Sequence, residues 1–161
     1  MKIKGLTDIN FTDYKLPSLY IATPYCSFKC DKECGRAVCQ NSALARNITY
    51  NVSTAAIAKI YNDNPITKAI IFGGLEPLDS TDLFDTINEL QTVCKIQRIV
   101  IYTGYTEEEV QVKFPQLLSL HNLVIKYGRF IPDQQGHFDE ILGVNLASNN
   151  QYAKEYNCEN Y

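Results

Sequence analysis

Four short apolar, β-prone runs, each closed by glycine, cysteine or charged residues, constrain the fold of this chain more than any other feature. They are "SLYIATPY" at 18–25, "KAIIFGG" at 68–74, "RIVIYTG" at 98–104 and "NLVIKYGRF" at 122–130. Between them lies "TAAIAKIYN" (54–62), with apolar residues at helical spacing and Ser53 placed to cap it. "STDLFDTINELQTVCK" (80–95) opens with Ser and early Asp, as a helix N-terminus prefers. A third helix starts in "TEEEVQVKFPQLLSL" (106–120), where Pro115 should break or restart it. Buried strands separated by helices predict an α/β fold with a mainly parallel sheet of right-handed βαβ units. The 161 residues suffice for one domain with one core. The polar tail "NNQYAKEYNCENY" (149–161) is expected to fray.

In such a sheet, chemistry gathers at the C-terminal ends of the strands. The first strand runs into a group of cysteines and the second into Gly73-Gly74-Leu75-Glu76-Pro77. The third ends at Thr103-Gly104-Tyr105 and the fourth at Lys126-Tyr127-Gly128-Arg129. One shared edge therefore carries the unusual residues. A net charge of -3 gives no general field for nucleic acid or an anionic membrane, and neither is expected as a partner. The N-terminal stretch has no long apolar run, so neither export nor anchoring is expected. A cytoplasmic chain keeps its thiols reduced, and clustered cysteines there bind metal more often than they form staples. The sequons at Asn10, Asn47 and Asn51 are then chance matches.

"CSFKCDKECGRAVCQN" (26–41) holds Cys26, Cys30, Cys34 and Cys39, four of the six cysteines. Soft thiolates select zinc, copper(I) or iron–sulfur clusters. Ordinary zinc modules use two ligand pairs held a dozen or more residues apart. Here one crowded loop stands without a second pair, and His121 and His137 lie far along the chain. Cys94 reads as a packed small hydrophobe and Cys158 as incidental. A four-iron cluster that keeps one iron open needs three thiolates, and residue type alone leaves open which three.

Taken in order, these segments resemble the radical S-adenosylmethionine (SAM) family, in which a strand leads into Cys-x3-Cys-x2-Cys and the next strand into a "GGEP"-type motif. The chain is most similar there to the small activating proteins of anaerobic, class III ribonucleotide reductase. "CQN" (39–41) resembles that family's Cys-Tyr-Asn, and "FGGLEP" (72–77) its Gly-Gly-Glu/Asp-Pro with Leu75 inserted. "YTGYT" (102–106) is nearly identical to the corresponding segment. "KYGRFI" (126–131) resembles its Asp-Gly-x-Phe without the acid, and "LGVNLASNNQ" (142–151) its late Ser-Asn-Gln. The second-to-third cysteine spacing departs from the pattern. Spacing selects Cys34; the family's flanking residues, matched by Val38 and Asn41, select Cys39 and make "DKECGRA" (31–37) an insertion.

The resemblance implies a single-domain, partial (β/α) barrel over 1–161 with its core at about 18–151. It implies a [4Fe-4S] cluster on Cys26, Cys30 and Cys39, with SAM as the second cofactor. Gly73, Gly74 and Glu76 would hold SAM's amino group, Thr103 and Gly104 its adenosine side, and Ser148, Asn149 and Asn150 its ribose or carboxylate. Lys126 and Arg129 are expected to be solvated charges. The implied activity is reductive SAM cleavage to a 5′-deoxyadenosyl radical that installs a glycyl radical on a partner reductase. A flavodoxin or ferredoxin would supply the electron. Three other readings stay open: a radical SAM enzyme with another substrate, a non-enzymatic cluster protein for electron transfer or sensing, and a structural zinc domain.

Overall fold

The computed structural model describes residues 1–159. The chain begins with β1 (Lys2–Ile3), β2 (Gly5–Asn10) and β3 (Ser18–Thr23), followed by the short helix α1 (Lys29–Cys34). A 3-10 turn at Ser42–Arg46 leads to β4 (Tyr50–Asn51), α2 (Thr54–Asp63) and β5 (Ala69–Gly74). After a second 3-10 turn at Pro77–Asp79 come α3 (Leu83–Val93), β6 (Arg98–Tyr102) and α4 (Glu107–Lys113). A third turn, Pro115–Ser119, precedes β7 (Leu123–Tyr127), β8 (His137–Asp139), β9 (Val144–Leu146) and β10 (Tyr152–Tyr156).

The expected parallel core is present: β3, β5, β6 and β7 are neighbours and pair in parallel. Alternation of side chains across the strands makes two apolar faces. Ile21, Phe72, Ile101 and Ile125 pack on one face against Ile57, Ile87, Leu90 and Val110 of the helices. Ile71, Val100 and Val124 face the other way and are covered by Tyr14, Leu142 and Leu146. Each fully buried Ile or Leu contributes about 1.5–3 kcal/mol relative to an exposed one, so strands apolar on both faces settle at the centre.

β2 and β10 lie antiparallel at the two ends of this parallel centre. Two expectations need correction. The tail does not fray over residues 152–156, which pair with β7 through five register positions; Asn160 and Tyr161 lie outside the described residues. The helix expected from residue 80 starts at Leu83, because Pro77 opens a 3-10 turn that Ser80 closes.

Candidate functional site

A cavity of about 330 Å³ opens at the C-terminal ends of the parallel strands. Cys26, Cys30 and Cys39 line it together with Gly74, Glu76, Tyr102, Thr103, Gly104, Lys126 and Gly128. Cys34 does not. It lines a separate groove, with Glu33, Arg129 and Tyr152, that shares only Cys30, Gly128 and Phe130 with the cavity.

The cysteine loop is tied down along its length. The Glu76 N–H donates to the Tyr25 carbonyl at 2.7 Å, and the Ser27 N–H to Asp79 Oδ2 at 3.0 Å. Asp31 Oδ1 accepts from the backbone N–H groups of Val38 and Cys39, both at 2.8 Å. That hook folds the far end of the loop back on α1 and brings Cys39 to the cavity. Asn41 Nδ2 then donates to the Gly74 carbonyl at 2.6 Å. Asp31 belongs to the stretch read as an insertion, so the extra residues supply the hook that the longer loop needs.

Glu76 is buried and accepts three hydrogen bonds. The Thr103 hydroxyl (2.7 Å) and the Leu78 N–H (3.1 Å) bond to Oε1, and the Gly104 N–H (2.8 Å) to Oε2. Burial still dominates and pushes the carboxyl up to about 7, against the lowering by Thr103, Gly104 and Leu78. A carboxylate has about four lone-pair sites, so one remains for a ligand. Thr103 and Gly104, read as adenosine contacts, therefore converge on Glu76 while lining the same cavity.

Gly74 lines the cavity with φ at +85°, and a Cβ there would lie 2.9 Å from Ala22 Cα. Gly73 lies beneath the ring of Tyr20, whose phenol oxygen would be 2.7 Å from an added Cβ. Its carbonyl accepts from Thr23 Oγ1 at 2.9 Å. Ser148 is fully buried behind the wall: its Oγ accepts from the Ile131 N–H at 3.3 Å, and its own N–H donates to Gln151 Oε1 at 3.2 Å. Ala147 and Gln151 face the cavity in its place. Asn149 donates its N–H to Gln134, and Asn150 Nδ2 donates to the Arg129 carbonyl.

The two cations are not solvated. Lys126 is 7% exposed. The Arg129 side chain is 11% exposed and reaches Glu109 (2.8 Å) and Glu33 (3.1 Å). A lone charge in a sequence defaults to solvent, but Lys126 alternates with core residues on a strand buried throughout. Tyr20 and Asp31 carry no motif; only the strand register and the loop hook reveal them.

Residues 18–152 match the family model described as a 4Fe-4S single cluster domain. The chain belongs to that family. No curated protein and no solved structure matches it. No described helix of this 4Fe-4S domain is long and apolar enough to cross a membrane.

The residues fit a cluster. Three soft thiols that line one cavity suit an iron–sulfur cluster, and the cavity of about 330 Å³ is roughly ten times the share of one water. Burial pushes the Cys26 thiol up to about 11, against a lowering bond from the Phe28 N–H, and pushes Cys30 up as well. Ligation needs thiolates, so loading must displace protons from both.

Proposed function

We propose that this 4Fe-4S domain is a radical SAM protein: Cys26, Cys30 and Cys39 hold the cluster, and the remaining cavity takes SAM. The observation that carries the reading is the sorting of the cysteines. Three of the four share one cavity with Glu76, and the fourth faces a different groove. Three thiolates leave one iron of a four-iron cluster open to a second ligand. The open lone pair of Glu76 Oε2 suits an ammonium, a charge-assisted contact at a buried site. Gly74, without a Cβ, lets the ligand approach the backbone. Tyr20 and Tyr102 line the same cavity.

When bound, the two cofactors supply one-electron cleavage of the sulfonium to methionine and a 5′-deoxyadenosyl radical. The parallel strands are read as a truncated (β/α) barrel whose open side admits a macromolecular substrate. That substrate is the glycine loop of an anaerobic ribonucleotide reductase, and the electron comes from a flavodoxin or ferredoxin.

The test is anaerobic reconstitution followed by dithionite and SAM, with 5′-deoxyadenosine measured by chromatography. Product is expected from the wild type and not from C26S, C30S or C39S. A loaded cluster that yields no 5′-deoxyadenosine would overturn the SAM reading in favour of an electron-transfer or sensing module. Addition of candidate reductases should then give a glycyl-radical signal in electron paramagnetic resonance. Product without that signal for any reductase points to another substrate.

A further inference from the structure

Lys126 is a buried lysine with no carboxylate partner. Its Nζ donates to the Gly128 carbonyl at 2.9 Å, and no ion pair within 4.0 Å joins it to an acid among the described residues. An ammonium carries three N–H donors, so two remain. The strand fixes where they are. Lys126 sits opposite Tyr102 in the parallel register, on the cavity face, and lines the cavity with Cys30. Burial pulls the ammonium down to about 8, while the charges of Glu76 and Cys30 hold it up.

The turn after Lys126 shapes the wall beside Cys30. Gly128 has φ at +95°, and a Cβ there would lie 2.9 Å from the Asn150 carbonyl oxygen, so the chain bends sharply. The bend brings Phe130 to the cavity wall beside Cys30. A [4Fe-4S] cluster on three thiolates carries a net negative charge that grows by one on reduction. A buried cation beside the cluster stabilises the reduced form more than the oxidised form.

We propose that Lys126 is the built-in counter-charge of the Cys30 end of the cluster, raising its reduction potential so that a biological donor can reduce it. The inference rests on Cys30 being a ligand and does not depend on SAM. Lys126 is a positioning residue for charge, acting through the cluster.

The full-length chain is reconstituted as wild type, K126M, K126Q and K126R. Iron and sulfide are counted, and the cluster is titrated potentiometrically with electron paramagnetic resonance as the readout. All four proteins are expected to load equally. At the wild-type midpoint the reduced-to-oxidised ratio should fall about tenfold in K126M and K126Q, a shift of about 59 mV for a one-electron couple. K126R should stay within about threefold of the wild type. A wild-type midpoint in either loaded neutral variant overturns the proposal, as does a K126R midpoint displaced as far as K126M. C30S checks the premise separately: full iron content in C30S would refute the ligand assignment, whatever Lys126 does.

Discussion

A methyl group at Gly74 meets the Ala22 Cα on the neighbouring strand at 2.9 Å, where the backbone is already left-handed at φ +85°. At Gly73 the nearest atom is the phenol oxygen of Tyr20, the far end of a side chain that can swing aside. G74A should therefore cost about 1–3 kcal/mol in urea unfolding, and G73A clearly less. Equal losses would mean that the Tyr20 ring is as fixed as the backbone. The cysteines divide by the same kind of local geometry. C34S should keep its iron and sulfide, since Cys34 faces the neighbouring groove, while C39S should lose them. The reverse result would show that spacing in the chain outweighs the cavity. The place of Cys39 at the cavity agrees with its flanks, Val38 and Asn41, which resemble those of the family's third ligand. Lys126 was not legible in the sequence, since nothing local marks a lysine that its strand will bury.

Among the elements, α1 is the least self-sufficient. Its N-cap, Phe28, has φ at +51° and makes no side-chain cap, and its C-cap is Gly35 at φ +66°. Six residues without a side-chain N-cap do not hold a helix in water. The tertiary clasp does it instead: Glu33 meets Arg129 at 3.1 Å, Lys29 meets Glu109 at 3.7 Å, and the Lys29 ammonium lies 4.0 Å from the Tyr105 ring centroid. That explains why α1 was unreadable in the sequence, whereas α4 announced itself. Thr106 and Glu109 form its capping box, spelled out by "TEEE". Glu109 also sits at the centre of the clasp, where Arg129's hydrogen bonds hold its carboxyl down to about 2 from 4.5. The folded value is the lower one, so its stabilisation is complete above about 4.5 and is lost as pH falls from there through about 2. The wild type should lose more urea stability than E109Q across that window. Parallel pH profiles would show that Glu109 and Arg129 do not couple.

At the scale of the molecule, the centre of the sheet was legible and its edges were not. β3, β5, β6 and β7 are buried on both faces and read as continuous apolar runs, which few other structures produce. β2 and β10 are half-exposed, so "GLTDIN" and "YAKEY" read as polar segments. Yet β10 completes the site's frame. It covers the open edge of β7, the strand that carries Lys126, and would otherwise leave a row of unpaired backbone groups. Ala153 packs on the second face, and its N–H donates to Asp139 Oδ2 at 2.9 Å. The hydroxyls of Tyr127 and Tyr156 meet at 2.8 Å, and Lys154 pairs with Glu107. The amides of 152–156 that face β7 should therefore exchange with deuterium slowly, whereas a frayed tail would exchange at once. Truncation after Gln151 should lower the urea midpoint sharply and promote aggregation through the exposed edge of β7. A truncated chain that unfolds at the full-length midpoint would show that β10 is an ornament of the sheet, and that β7 holds Lys126 and the turn at Gly128 in place without it.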